Sequence, residues 1–348
     1  LGHFLLLLVL TLLIYGLSVL RSKRALLVGI TVAVVTMIFY KYWKMLALTW
    51  NELLAGWFGA SVPIWRISIP LAISFFVFEF VHYLTDVYRG KTERVSLRTF
   101  LLFIFFFPSM VAGPIKRIQS FAHEQIVFRW TNVQAGLLRM GLGLFKKIVL
   151  ADSLNPLFLP MFADPSAFSP GMLWLAMYAY ALKIYFDFSA YSDLAIGAAL
   201  CFGYHLPENF NWPYISRNLT EFWRRWHISL STWIRDYVYI PLGGNRRGYG
   251  RMLLFIFLAM TISGLWHGAN WTFVVWGMWH GVGQVIHKLY EKMWGKQQAL
   301  GHDLRKSAYY QGFAWLITFH FVCLGWVWFA SPSLPSAATF LHRMWGVL

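Results

Sequence analysis

The chain has 348 residues, 58% of them hydrophobic and 13% charged, with a mean hydropathy of +0.54. Soluble domains carry about 25% charged residues, so the composition excludes an ordinary soluble protein and points to an all-α polytopic membrane protein. The net charge of +16 reads as basic loops held against anionic membrane lipids. It does not read as a nucleic-acid surface, because no basic stretch has the register of a nucleic-acid module.

A bilayer span takes about 20 mostly apolar residues. The first candidate, Phe4–Leu20, is followed by Arg21, Lys23 and Arg24. No small-residue cleavage site follows it, so it reads as a retained helix and not a signal peptide. Further candidates are Ala25–Tyr42, Ser68–Tyr88 and Leu97–Ala112, then Met172–Tyr185 and Leu194–Tyr204, and finally Met252–Gly268, Trp271–Leu289 and Gln311–Ala330. The run Val133–Phe162 is interrupted by Lys146, Lys147, Asp152 and Pro156. Short and interrupted runs suggest re-entrant segments, giving roughly nine to eleven transmembrane or re-entrant helices.

Basic clusters fall at Arg21–Arg24, Arg89–Arg98, Arg246–Arg251 and Lys288–Lys306. The positive-inside rule places the first in the cytoplasm and the N-terminus outside, and two further runs return the chain to the cytoplasm at Arg89–Arg98. Cys201 and Cys323 offer neither a disulfide framework nor a metal-ligand spacing. No linker, low-complexity tract or long repeat divides the chain, so residues 1–348 are read as one domain. It starts at Leu1 without a methionine and stops soon after a loop, as a trimmed protein would.

The residues able to carry chemistry follow in order. YFDFSAYSDLAIG, Tyr185–Gly197, puts Asp187 and Asp193 in an apolar region. Each needs a partner, either a structural tie to an arginine or a histidine that the carboxylate orients. PENFNWPY, Pro207–Tyr214, reads as a loop. EFWRRWHISLSTWIRDY, Glu221–Tyr237, reads as one amphipathic helix, with Arg224, His227, Ser231 and Arg235 on one stripe. Phe222, Trp223, Trp226, Leu230, Trp233 and Tyr237 fall opposite. That helix either lies in the interface with its basic face to phosphate head groups or lines a cavity for an anionic or carbonyl-bearing substrate. PLGGNRRGYG, Pro241–Gly250, is either a phosphate cradle or a basic turn. TISGLWHGAN, Thr261–Asn270, places His267 in a membrane-buried run between Gly264 and Gly268, with Asn270 one turn on. An intramembrane imidazole is either functional or a packed structural residue. Walker, GxGxxG, GxSxG and HExxH patterns are absent from the sequence, so histidine is the centre to which the residues point, with no metal and no tightly bound cofactor.

The string PENFNWPYISRNLTEFWRRWHISLSTWIRDYVYIPLGGNRRG, followed by SGLWHGANWTFVVWGMWHG, resembles the membrane-bound O-acyltransferase family. Within it the chain is most similar to the bacterial branch that acetylates alginate, related exopolysaccharides or peptidoglycan. FFPSMVAGPIKR, Phe106–Arg117, and YFDFSAYSDLAIG resemble the same branch, so the matching core runs from about residue 106 to 283. Members of that branch are usually longer than this chain.

The resemblance implies a ring of helices around a central funnel in the bacterial inner membrane. It maps the family's membrane-embedded histidine to His267 and its second histidine to His227, with His280 a weaker candidate. Arg224, Ser231, Arg235, Asn270 and Asp187 are the candidate substrate-binding residues. The implied reaction moves acetyl from a cytoplasmic thioester, acetyl-CoA or an acyl carrier, toward an extracytoplasmic polysaccharide hydroxyl. His267 would be the base, or would itself be acetylated transiently. His227, with Arg224 or Asn270, would polarise the carbonyl or position the acceptor. A separate SGNH-type acetyltransferase outside the membrane is the implied partner. The rival readings are D-alanyl transfer to teichoic acid from a carrier-protein thioester, and a non-enzymatic transporter or flippase.

Overall fold

In a bilayer every backbone N–H and C=O must be satisfied within its own segment, so long apolar runs become helices. The structure, a computed structural model, describes residues 1–124, 126–297 and 307–346, and these residues contain helices and no strand. Among them four helices are long and apolar enough to cross a membrane: α1, Gly2–Val19; α2, Lys23–Leu53; and two later ones at Tyr249–His267 and Ala308–Ala330. The chain is an all-α membrane protein.

Helix α2 runs eleven residues beyond its expected end at Tyr42, through a π-helical turn at Ile38–Tyr42. α3, Ile73–Tyr88, follows. The expected Leu97–Ala112 run is split into α4, Leu97–Ile104, and a turn at Phe107–Met110, because Pro108 cannot donate into a continuing helix. α5, Trp130–Phe145, passes into a π-helical turn at Lys146–Ala151 and then a 3₁₀ turn containing Pro156.

The two runs expected at Met172–Tyr185 and Leu194–Tyr204 form one 32-residue helix, α6, Pro170–Cys201. The carboxylates that broke the apolar pattern are paired along it. Asp187 takes Lys147 and Lys183, each at 2.8 Å, and Asp193 takes Lys146 at 2.7 Å. Paired charges let the helix continue where the sequence suggested an end.

Further along are α7, Leu219–Arg225; α8, Ile228–Ile234; α9, Tyr249–His267; α10, Trp271–Gln297; α11, Ala308–Ala330; and α12, Leu334–Met344, with shorter helical turns between some of them. Residues 298–306 of the basic cluster Lys288–Lys306 lie outside the described residues.

Contacts divide the chain into two compact units. The first comprises Leu1–Arg139 and Ala195–Pro207, the second Met140–Leu194 and Glu208–Leu348. In the first, α3 is buried almost along its whole length and packs on α2 at Gly29, where a Cβ would lie 2.4 Å from Leu84 Cδ1. Glu79, His82 and Asp86 share one stripe of α3 and are all buried. Their partners come from the segment after FFPSMVAGPIKR starts. Lys116 pairs with Glu79 and sits 4.7 Å from the Phe103 ring centre. Gln119 accepts from His82 Nε2 at 3.2 Å and donates to Asp86 Oδ2 at 2.6 Å. These ties pin the segment to α3.

In the second unit α9 and α10 form a hairpin that closes backbone to backbone. A Cβ at Gly264 would fall 2.3 Å from the Phe273 carbonyl oxygen, and one at Gly277 2.6 Å from the Met260 oxygen. Small residues permit this approach where lipid supplies no hydrophobic drive. Trp276, Trp326, Phe222 and Phe340 are among its fully buried side chains.

Removing one member of a buried ion pair strands the other, at a cost of about 3–5 kcal/mol. Lys116→Met is therefore expected to lower the melting temperature in detergent sharply. Lys116→Met combined with Glu79→Gln is expected to recover most of the loss. Equal melting of the single and double variants would refute the pairing.

Candidate active site

The segment Glu221–Tyr237 is not the continuous helix that its periodicity suggests. It breaks between α7 and α8, where Trp226 is extended and His227 is left-handed, with φ 43° and ψ 55°. The cause lies upstream, in the PENFNWPY loop. Asn209, fully buried, accepts from Ile228 N–H through its carbonyl at 2.9 Å. Its side-chain Oδ1 accepts from Ser229 N–H at 3.2 Å and Ser229 Oγ at 2.9 Å. Asn211 N–H donates to the Arg225 carbonyl at 2.9 Å, so the loop caps both helix ends at the break.

The same oxygen fixes the state of His227. A backbone N–H can only donate, so the atom facing Ser229 must be Oδ1 and not the amide nitrogen. His227 Nδ1 lies 3.1 Å from that oxygen and must therefore carry a proton. A neutral ring then keeps its lone pair on Nε2, which is buried and has no hydrogen-bond partner among the described residues. Phe188 of α6 meets the imidazole edge-on at 4.6 Å.

His267 is the last residue of α9 and is partly buried, at a turn where Gly268 is extended. Three aromatic rings surround it: Trp266 at 4.9 Å, Trp276 at 5.1 Å and Phe329 at 5.2 Å. Trp266 also approaches His227, at 6.3 Å, so one indole lies against both imidazoles. Trp276 reaches onward to His280, at 5.0 Å. That third imidazole is fully buried among Phe222, Trp223, Phe321 and Trp326, and neither ring nitrogen has a hydrogen-bond partner among the described residues.

The remaining sequence candidates are placed differently. Because the helix breaks, Arg224 and Arg235 do not continue a stripe through His227. Both are exposed, and Arg235 pairs with Asp236 at 2.8 Å. Ser231 donates to the Trp226 carbonyl at 3.2 Å, across the break. Asn270 does not share a helix face with His267, since α9 has already ended. It donates to the Pro332 carbonyl at 2.8 Å and accepts from Thr272 N–H at 3.1 Å, capping α10. Asp187 is held between Lys147 and Lys183 and is about one-third exposed. Of the expected aromatic face, Phe222, Trp223, Trp226, Leu230 and Trp233 are buried in protein and Tyr237 is half-buried.

Sequence reasoning missed Asn209, Trp276 and Phe329. Asn209 had a visible signal, as a polar residue between two prolines just upstream of the histidine string. Trp276 and Phe329 had none, because they meet His267 through tertiary packing.

The model of MBOAT, the membrane-bound O-acyltransferase family, matches residues 4–329. The chain is 38% identical to the "Probable alginate O-acetylase AlgI" of Pseudomonas putida, over 94% of this chain and 65% of that protein. It is 35% identical to the "Peptidoglycan O-acetyltransferase" of Helicobacter pylori, over 92% of this chain and 64% of that protein. To the "Teichoic acid D-alanyltransferase" of Bacillus subtilis it is 32% identical, over 75% and 68%. The chain thus spans somewhat under two thirds of the length of the alginate and peptidoglycan relatives.

Asn209→Ala leaves buried donors on Ser229 and His227 without an acceptor, each costing about 1–3 kcal/mol. The expected outcome is a lower melting temperature for Asn209→Ala, with Asn209→Asp, which keeps the acceptor, lying closer to wild type. Equal losses in the two variants would place the role of Asn209 in shape and not in its oxygen.

Proposed function

The chain belongs to the membrane-bound O-acyltransferase family, and from that premise we propose that it is an O-acetyltransferase centred on His267 and His227. The observation that carries the reading is the pair of imidazoles brought together by α8 and α9 inside an aromatic shell, one of them with its tautomer fixed. The donor is a cytoplasmic thioester, acetyl-CoA in the simplest case. The acceptor is a polysaccharide hydroxyl on the extracytoplasmic side of a bacterial inner membrane, which a multi-pass chain would serve. A separate SGNH-type acetyltransferase completes delivery to the polymer.

The chemistry asked of the site is modest. The acceptor hydroxyl attacks the thioester carbonyl while His267 takes its proton, and collapse of the tetrahedral intermediate expels the thiolate. That thiolate recovers the proton, leaving an acetate ester and a free thiol. General base catalysis of this kind contributes about 10²–10⁴-fold. His227, with Nδ1–H committed to Asn209, presents an acceptor at Nε2. That supports a role in holding the incoming hydroxyl and does not support polarisation of the carbonyl, which needs a donor. Nor do Arg224 and Asn270 support polarisation, one being exposed and the other engaged in capping.

Similarity to the B. subtilis protein keeps D-alanyl transfer as the second reading, and the higher identity to the acetylating relatives favours acetyl.

The test is label transfer from acetyl-CoA in membranes at matched expression. His267→Ala is expected to lose about 10²–10⁴-fold, with His227→Ala also impaired. Unchanged transfer in His267→Ala would return that residue to packing. Transfer from an aminoacyl carrier but not from acetyl-CoA would select the second reading.

A further inference from the structure

In the second unit α10, α11 and the residues Arg217–Leu219 line a cavity of about 760 Å³. That size is ordinary for a small-molecule site, about 300–1,000 Å³. Its walls are apolar and open sideways: Ile286, Phe313 and Ile317 are all more than half exposed. Its floor is Leu219, Gly283 and Phe321. The floor is tight, since a Cβ on Gly283 would lie 2.4 Å from the Phe321 ring and 2.6 Å from Leu219 Cδ1. Beyond it Phe321 packs on His280, at 5.8 Å. A donor arm entering here would meet that packing before reaching His267.

The mouth has a different character. Tyr290 and Tyr310 meet hydroxyl to hydroxyl at 3.0 Å, as aromatic residues do at head-group level. Glu291 is already neutralised by Lys288, at 2.6 Å, with the His287 imidazole beside it at 3.2 Å. Arg217 also lines the mouth, and its backbone N–H is held by Glu221 Oε2 at 3.0 Å. The Glu221 carboxylate is itself engaged by Arg225 at 2.9 Å. The exposed Arg217 guanidinium therefore brings a positive charge that no neighbouring carboxylate among the described residues takes up.

We propose that this groove holds one anionic glycerophospholipid, with an acyl chain between α10 and α11 and its phosphate on Arg217. An acyl chain gains nothing from apolar contact alone when it leaves one lipid environment for another. Selection must therefore come from shape in the groove and from charge at its mouth. One basic residue near an anionic head group is worth about fivefold in occupancy.

The test uses the purified full chain in nanodiscs of phosphatidylcholine doped with a photoreactive acyl-tagged phosphatidylglycerol, with crosslinks mapped by mass spectrometry. Label is expected to concentrate on Ile286, Phe313, Ala314 and Ile317. Ala314→Phe, which fills the groove, should cut that label at least fivefold while leaving label on the exposed face of α1 unchanged. Arg217→Gln should abolish the roughly fivefold preference over an equally tagged phosphatidylcholine. Matched melting temperatures establish that both variants are folded. Label that simply follows exposed apolar surface, indifferent to Ala314→Phe, would overturn the site. Displacement of the label by acetyl-CoA would overturn it too, and would make the groove part of the donor route. Because the readout is lipid occupancy, it stands or falls separately from acetyl transfer.

Discussion

The site depends on one oxygen atom. Asn209 Oδ1 accepts from His227, from Ser229 N–H and from Ser229 Oγ, while the Asn209 carbonyl takes Ile228 N–H. A left-handed non-glycine residue costs about 1–3 kcal/mol, and each internal hydrogen bond returns about 1 kcal/mol net. Four bonds converging on Asn209 are enough to hold His227 in that conformation and to break a segment whose periodicity favours a continuous helix. The break has a chemical consequence. It puts the imidazole at the head of α8, with one nitrogen tied down and the other facing the aromatic interior.

The same demand for internal partners shapes the rest of the protein. In a medium without water, a polar group that finds no partner costs more than the bond it would have made. Helix α6 carries two aspartates through its apolar length because three lysines meet them. Helix α3 buries a glutamate, a histidine and an aspartate on one stripe because Lys116 and Gln119 answer them. In both cases the charge locks a neighbouring segment in place.

These pairings explain what could be read from the sequence and what could not. Apolar length and helix ends were legible for α1, α9 and α11, where composition alone sets the span. The division of α6 in two was a misreading of charge, since periodicity does not reveal that Lys146, from outside the helix, will neutralise Asp193. The unbroken helix over Glu221–Tyr237 failed for a related reason, because its break is imposed by a loop twelve or more residues away. Asn270 was grouped with His267 by spacing, and the spacing argument lapsed once α9 stopped at His267. The stripe of Glu79, His82 and Asp86 was open to a reading by helical arithmetic, yet its meaning lay in partners more than thirty residues further on. The nearness of His227 and His267 was legible only through the motif strings, because α8 and α9 meet by tertiary packing.

The aromatic shell bears on a problem that any hydroxyl-directed acyl transfer must solve. Water is a competing nucleophile for a thioester, and a base that activates a sugar hydroxyl would activate water as well. Trp266, Trp276 and Phe329 stand about 5 Å from His267, and Trp266 and Phe188 face His227. Ring faces at those distances offer a water beside the imidazoles no strong hydrogen bonds. Exclusion of this kind also strengthens the polar contacts that remain, since each acts in a lower local dielectric. The large number of tryptophans therefore serves the interior of this protein as well as its boundary with lipid. Under the proposed acetyl transfer, replacing Phe329 with a small polar residue would admit water, so its effect would fall on the ratio of hydrolysis to transfer more than on total thioester consumption.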